Sequence, residues 1–499
     1  REPILTVAHV VTFYQRHNYQ PVWIEEDELT IWGKELVATI ANASEEGMNP
    51  RDYHLAKVNQ LVEGIQASTT PLRFLHLEVL LTDAYLTFAA HLYRGKVCAE
   101  KVDPEWHADC KQEEIDYSSQ LSQALNGKDI IGSLDQLKPQ EPAYQQLKAA
   151  LAHYRSLQIK NKEGFPTIRP KADRVPGYDV LDIDFLEERL IALGDLLKED
   201  VTDAEKVTNA VSQFQHRHGI DTNGMIDSLT INALNVSLEE RIKTIETNLE
   251  RWRWLPLELG GNYILVNIAN FSLEVFEGSN IVFQSDVIVG TRYHRTPVFN
   301  AQMTHVILKP YWHVPRSIVN NEILTLASPA GYLNRNQIRI IDQSGQAIST
   351  DSIDWSQARP GNFPYRLRQE PGTHNSLGLI KFMFPNPYSV YVHDTPTKML
   401  FDRQVRTFSH GCIRLQKPFE LADYLLDAFP EWDQASLQEA TDSTRYNNHH
   451  INLPIPIPVY VLYWTAWMDN EGHIHFRDDV YQRDLAVWQA LEHPVEIVL

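Results

Sequence analysis

Two short stretches of this sequence are best suited to covalent chemistry: Ser409-His410-Gly411-Cys412-Ile413-Arg414-Leu415 and, sixteen residues before Ser409, His393-Asp394-Thr395. Cys412 has one histidine two positions before it and another nineteen before it. A thiol attacks only as thiolate, and a nearby imidazole is the commonest way to make one. Gly411 lets the backbone turn sharply, and the amides of Gly411 and Cys412 are candidates to face the oxyanion of a tetrahedral intermediate. Arg414 offers a planar fork to a carboxylate or carbonyl of a substrate. Val390-Tyr391-Val392-His393 alternates as a strand does, so His393 is expected at a strand end beside the Asp394-Thr395-Pro396 turn. Convergence of the two segments would let His393 take the Cys412 proton and later return one to a leaving amine.

Other chemistries find less support. His449-His450 and His473-Ile474-His475 are not accompanied by a Cys-x-x-Cys or His-Glu-x-x-His pattern, so no metal is expected and His473 and His475 are expected on a surface strand. No dinucleotide-binding or phosphate-binding glycine loop occurs, and no cofactor is expected. The formal net charge of −20 argues against nucleic acid, whose phosphates need a basic footprint. It permits a peptide, glycan or small-molecule partner. Cys98 and Cys110, twelve apart in a polar stretch, suit either a local disulfide or two free thiols.

The elements that must position the cysteine follow from periodicity. At 499 residues, 43% hydrophobic and 22% charged, the chain predicts two to four globular domains. Residues 1–165 read as a helical scaffold, with Leu72, Leu75, Val79, Leu86 and Tyr93 on one helical face and Gly95 as a stop. The polar connector 160–177 marks a boundary. In 178–236, Ile183, Leu186, Leu190, Leu193 and Leu197 share a face, Val207, Val211 and Phe214 repeat the pattern, and Asp227 caps a short helix. A further helix, 238–256, is expected to join the scaffold. From residue 258 to 499 the texture is mainly short strands, predicting a sandwich or partly open barrel. It lapses over 314–372, read as an inserted capping segment with a helix at Ile318–Ala327. An amphipathic helix is expected over Pro418–Phe429. No apolar run reaches the ~18 residues of a membrane helix.

Phe214-Gln215, His218-Gly219, Asn223-Gly224 and Thr230…Leu234-Asn235 together resemble the signature of the three-helix peptidoglycan-binding domain. His393, Thr395 and Ser409-His410-Gly411-Cys412-Ile413-Arg414-Leu415, with Ile264–Ile268, Thr296-Pro297, Asn300 and Pro310-Tyr311-Trp312, resemble the L,D-transpeptidase (YkuD-type) catalytic domain. Asp394 stands where many members have glycine. The order of parts is that of the large Gram-negative type. The resemblance implies a multidomain α+β protein: a helical scaffold, a small three-helix peptidoglycan-binding module, and a mainly-β, sandwich-like catalytic domain with an inserted capping subdomain.

It implies Cys412 as nucleophile and His393 as general base and acid. The Asp394 carbonyl would orient the imidazole, His410 support the pocket, and Gly411 contribute to the oxyanion hole. Arg414, Ser409, Thr395 and Tyr391 would bind substrate. Its partners would be peptidoglycan tetrapeptide stems, carbapenem β-lactams as covalent inhibitors, and further cell-wall synthesis proteins. Acyl transfer to the meso-diaminopimelate amine of a second stem would give 3→3 cross-links. The alternatives are a Cys/His L,D-carboxypeptidase or peptidase, or a decayed wall-binding protein. A periplasmic chain, its signal or anchor preceding residue 1, is expected.

Overall fold

The computed structural model describes residues 3–65, 70–108, 115–169 and 183–494. It divides into two compact units, one of residues 1–259 with 463–499, the other of residues 260–462. Among the described residues no helix is long and apolar enough to cross a membrane.

The first unit is helical. Its longest helix, α1 (Pro71–Arg94), buries almost every residue from Leu77 to Tyr93, and Gly95 ends it. Leu72 and Leu75, expected on the buried face, are 76% and 60% exposed. The burial face begins a turn later, where α1 enters the bundle and is enclosed on all sides. Helix α2 (Pro142–Lys160) closes the scaffold. The small module follows as α3 (Ile183–Leu193), α4 (Ala204–Arg217) and α5 (Ser228–Leu234), packed around Leu186, Leu190, Val207, Val211, Phe214 and Leu234. Leu197, expected on the α3 face, falls past the helix end and is exposed. Gln215 ties the module together: its side chain donates to the Met225 carbonyl and Thr230 Oγ1 and accepts from the Gly224 amide. Asp227 caps α5 through the Thr230 amide.

Helix α6 (Leu238–Arg253) starts with a reciprocal Ser237/Glu240 capping box and binds this unit together. Its Arg241 donates to Ala233 O, its Glu246 pairs with Arg155 of α2, and its Asn248 and Arg251 hold Thr465 and Asp484. Those last contacts, with Arg217 Nη1 donating to Ile474 O at 2.8 Å, explain why residues past Leu462 pack with the first unit. Within the expected 258–499 stretch, the compact second unit ends at Leu462 and residues 463–499 belong to the first unit. The suggested Cys98–Cys110 pairing involves Cys110, which lies outside the described residues, as do residues 170–177 of the 160–177 connector.

At the C-terminal end of α6, Glu250 and Arg253 form an ion pair with no exposure on either side chain, 2.6 Å apart. Glu250 also accepts from the Val97 amide, and Arg253 donates to Glu46 O and Tyr144 Oη. Removing one member strands the other charge away from water. Glu250→Ala is expected to lower unfolding free energy by about 3–5 kcal/mol, measured by urea denaturation followed through tryptophan fluorescence. A loss under about 1 kcal/mol would mean that the pair is not buried in solution.

The second unit is built on one sheet. Its strands are β1 (Asn262–Asn267), β2 (Ser272–Glu277), β3 (Asn280–Gly290), β4 (Phe299–Leu308), β5 (Ile380–Met383), β6 (Val392–His393), β7 (Thr407–Ser409), β8 (Ile413–Leu415) and β9 (His449–Leu462). The spatial order is β7-β3-β8-β6-β5-β4-β9-β1-β2, and β2 also pairs with β3, so the sheet curls back on itself. Alternation sends Ile264, Val266, Leu273, Val275, Met303, Val306, Ile380, Phe382, Val392 and Ile413 into the core, each at most 1% exposed. Helix Pro418–Leu425 packs Leu421, Ala422 and Leu425 inward and stops four residues short of the expected end.

The insertion is folded rather than a loop. Helices Arg316–Asn321 and Pro329–Arg335 lie with a four-stranded sheet in the order Trp312–His313, Arg366–Gln369, Ile338–Ile341, Ala347–Ile348. Val319, Leu333, Ile340, Phe363 and Leu367 give it a core of its own. The helix expected over Ile318–Ala327 is broken at Glu322, after which only a 3₁₀ turn follows.

Candidate active site

Strands β6 and β8 run parallel, with Val392 opposite Ile413 and His393 opposite Arg414. The Ile413 amide donates to Tyr391 O at 3.0 Å. This brings His393 and Cys412, nineteen residues apart in sequence, onto neighbouring strands, with Cys412 at the foot of β8. On its other edge β6 pairs with β5, placing Lys381 opposite His393.

The histidine is fixed from its far side. His393 Nδ1 donates to Asp394 O at 2.5 Å, which leaves Nε2 as the nitrogen able to take a proton. The Asp394 carboxylate accepts from the Leu379 amide at 2.8 Å and pairs with Lys398 at 2.7 Å. Gly378, at φ +62°, makes room: a Cβ there would lie 2.2 Å from Asp394 Oδ2. His393 is 4% exposed. Burial and the Arg414 charge, with a smaller contribution from Lys381, push its pKa down to about 3, and hydrogen bonds to the Asp394 and Leu377 backbone oppose this only in part. The imidazole is therefore neutral throughout the physiological range.

The thiol is held in a different pose. Cys412 Sγ donates to Ser389 O at 3.7 Å. Desolvation pushes its pKa up, against the opposing pull of Tyr391, Lys381 and Arg414. Among the described residues, the pair at rest is thus a protonated thiol and a neutral imidazole with no hydrogen bond joining them. Attack requires Sγ to swing from Ser389 toward His393, as catalytic hydrogen bonds commonly tighten only once substrate is bound.

The turn before Cys412 is tightly pinned. Gly411 has φ +106°, a value that favours glycine, and its carbonyl accepts from Thr296 Oγ1 at 2.9 Å. Ser409 Oγ donates to Cys412 O at 2.5 Å and accepts from the Gly411 amide at 3.1 Å. The Gly411 amide, expected to face an oxyanion, is therefore engaged inside the turn at rest. Ser409 and Thr395, expected to bind substrate, are 2% exposed, and Thr395 Oγ1 bonds Thr397 Oγ1 at 2.9 Å. Both hydroxyls shape the turns rather than line an open surface. Arg414 reaches Thr397 Oγ1 with Nη1 at 3.4 Å, and burial raises the Tyr391 hydroxyl well above the usual tyrosine range.

His410 points away from the thiol's partners. Its Nε2 lies 2.7 Å from Glu322, at the broken helix of the insertion, and its ring lies 4.9 Å from that of His294. The inserted subdomain thus touches the cysteine turn directly. Sequence reasoning missed Glu322 and Lys381; the available signal for the latter was a single lysine in the short apolar strand Ile380-Lys381-Phe382-Met383. It also missed that His475 is buried and bonded to Asp469 at 2.8 Å, where a surface position was expected. Asp469, Glu471 and His473 bring ligand atoms within 4.8 Å of one another, but Asp469 is already spent on His475 and the hairpin amides.

Comparison with known families agrees with this architecture. Residues 8–151 match the "Scaffold domain" model, 181–234 the "Putative peptidoglycan binding domain" and 261–444 the "L,D-transpeptidase catalytic domain". The chain therefore carries a YkuD-type L,D-transpeptidase catalytic domain together with a peptidoglycan-binding domain and a scaffold domain, in a multidomain α+β arrangement. A Haemophilus influenzae protein named "Putative L,D-transpeptidase" is 33% identical over 238 residues, covering 48% of this chain and 47% of that protein. The chain spans about half the length of this curated relative. Among solved structures, an L,D-transpeptidase from Stackebrandtia nassauensis is 13% identical, covers 59% of this chain and 97% of its own, and has a TM-score of 0.23. One from Mycobacterium smegmatis is also 13% identical, covers 40% and 58%, and has a TM-score of 0.18.

Proposed function

We propose that this protein is a periplasmic peptidoglycan L,D-transpeptidase in which Cys412 is the nucleophile and His393 the general base. The observation that carries the reading is the parallel β6–β8 pairing, which sets a neutral, Nε2-accepting imidazole beside the Cys412 turn in a domain that matches the catalytic family. In the first step Cys412 Sγ attacks the carbonyl carbon of the third residue, meso-diaminopimelate, of a tetrapeptide stem while His393 Nε2 takes the thiol proton. The tetrahedral adduct collapses with cleavage of the C–N bond. The imidazolium gives its proton to the departing amine, and D-alanine leaves.

In the second step the side-chain amine of another stem attacks the thioester. His393 accepts its proton and returns it to the departing Cys412 sulfur, and the new amide is a 3→3 cross-link. The thioester conserves the bond energy, so no other energy source is needed. An amine must outcompete water for it, and the insertion reaching the turn through Glu322 supports a role in excluding water. The same nucleophile would open the ring of a carbapenem.

Incubation with a disaccharide-tetrapeptide, followed by liquid chromatography and mass spectrometry, is expected to give a cross-linked dimer and free D-alanine. Disaccharide-tripeptide as the sole product would make the protein a hydrolase instead. Unchanged substrate would overturn both readings.

A further inference from the structure

The register of the sheet puts three side chains in one cross-strand row beside Cys412. Lys381 on β5 is opposite His393 on β6, and His393 is opposite Arg414 on β8. Paired residues point to the same face, so a neutral imidazole stands between two cations. Arg414 belongs to the cysteine motif. Lys381 does not, and no step of the proposed reaction uses it.

Its setting is unusual for a lysine. Ile380 and Phe382, its neighbours on β5, are fully buried on the opposite face. The Lys381 ammonium sits 3.7 Å from the centroid of the ring of Tyr391, whose backbone carbonyl accepts from the Ile413 amide next to Cys412. It makes no ion pair among the described residues. The groups that face it are Tyr391, just before β6, and His393 on it, Cys412, just before β8, and Arg414 on it, His305 from β4 and His313 from the insertion. None of these is a carboxylate. A cation half-withdrawn from water without a carboxylate is costly unless an anion visits the site. The one anion that these neighbours can produce at neutral or mildly basic pH is the thiolate.

We infer that Lys381 is the second cation of this site, and that its ammonium, seated on the Tyr391 ring opposite Arg414, stabilises the Cys412 thiolate. It acts through Cys412 rather than on substrate, so it is a positioning residue. Its charge favours the thiolate and disfavours an imidazolium at His393. Burial, not Lys381, is what keeps the sulfur protonated at rest. Burial holds the Lys381 pKa below the usual lysine range, and the Cys412 charge is what opposes that.

The inference rests on Cys412 being the nucleophile, but its test does not require acyl transfer. The rate of iodoacetamide alkylation is followed against pH and located to Cys412 by peptide mapping, for wild type, Lys381→Met and Lys381→Arg. Lys381→Met is expected to raise the midpoint by roughly one unit, which is about tenfold slower alkylation at a pH below both midpoints. Lys381→Arg is expected to restore the wild-type midpoint. Melting temperatures of all three check the fold, and Lys381→Gln takes the place of Lys381→Met if the latter does not fold. Coincident wild-type and charge-removed profiles would overturn the inference. So would a Lys381→Arg midpoint displaced as far as that of the neutral variant. If wild type alkylates as expected but makes no cross-linked product, the proposed function fails while this inference stands.

Discussion

Cys412→Ala is expected to gain no mass on incubation with meropenem, whereas wild type gains one carbapenem per chain. Both acyl-transfer steps pass through Sγ, so no other group on the chain can substitute for it. Formation of cross-linked dimer should fall by on the order of 10⁴-fold or more, as when a covalent nucleophile is removed from a working pair. The Cys412 side chain is only partly covered and the turn is pinned by Ser409 and Thr296 rather than by the thiol. The alanine variant should therefore melt close to wild type. A carbapenem adduct surviving in Cys412→Ala would place the nucleophile elsewhere and remove the basis of the proposed function.

The second large effect is at His393. His393→Ala is expected to slow acylation by roughly 10²–10⁴-fold, the usual contribution of a positioned general base. His410→Ala should cost less than about tenfold, since His410 is bonded to Glu322 of the insertion and not to the thiol's surroundings. What it loses is the contact between insertion and turn, so Glu322→Gln should reproduce its effect. Stopped-flow acylation by meropenem measures all three, and equal losses in the two histidine variants would refute the ranking.

The pH dependence carries the same logic. Because His393 is neutral down to about 3 and burial raises the thiol, the free enzyme has no group of the pair titrating near 6.5. Acylation should therefore rise with pH toward the thiol's range without an inflection between pH 6 and 7. A clear inflection there would mean that His393 is solvated and ordinary in solution.

The residues of the reaction are legible in the amino-acid sequence because they are consecutive or nearly so. Ser409 to Leu415 and His393 to Thr395 carry their chemistry in residue type, and a glycine before the cysteine is a local backbone requirement. Helices with clear periods are equally legible. The α4 pattern of Val207, Val211 and Phe214 and the Asp227 cap depend on neighbours three or four residues away.

The misreadings share one cause. Leu72 and Leu75 fit a helical face but lie beyond the reach of the bundle, and residues after Leu462 look strand-like yet pack with α6 through Thr465 and Asp484. Periodicity states which residues seek cover; it does not say what covers them.

For the cysteine itself, sequence alone marked the candidate nucleophile, its distant histidine and the glycine turn between them. Tertiary structure decided the rest. The parallel β6–β8 register joins them, the Asp394 carbonyl selects the tautomer, and burial, helped by the Arg414 and Lys381 charges, keeps the imidazole neutral. It also turned His410 toward Glu322 and engaged the Gly411 amide with Ser409. Those are pairings across strands and between a sheet and its insertion, and their energies depend on burial and on charges brought together only when the chain has folded.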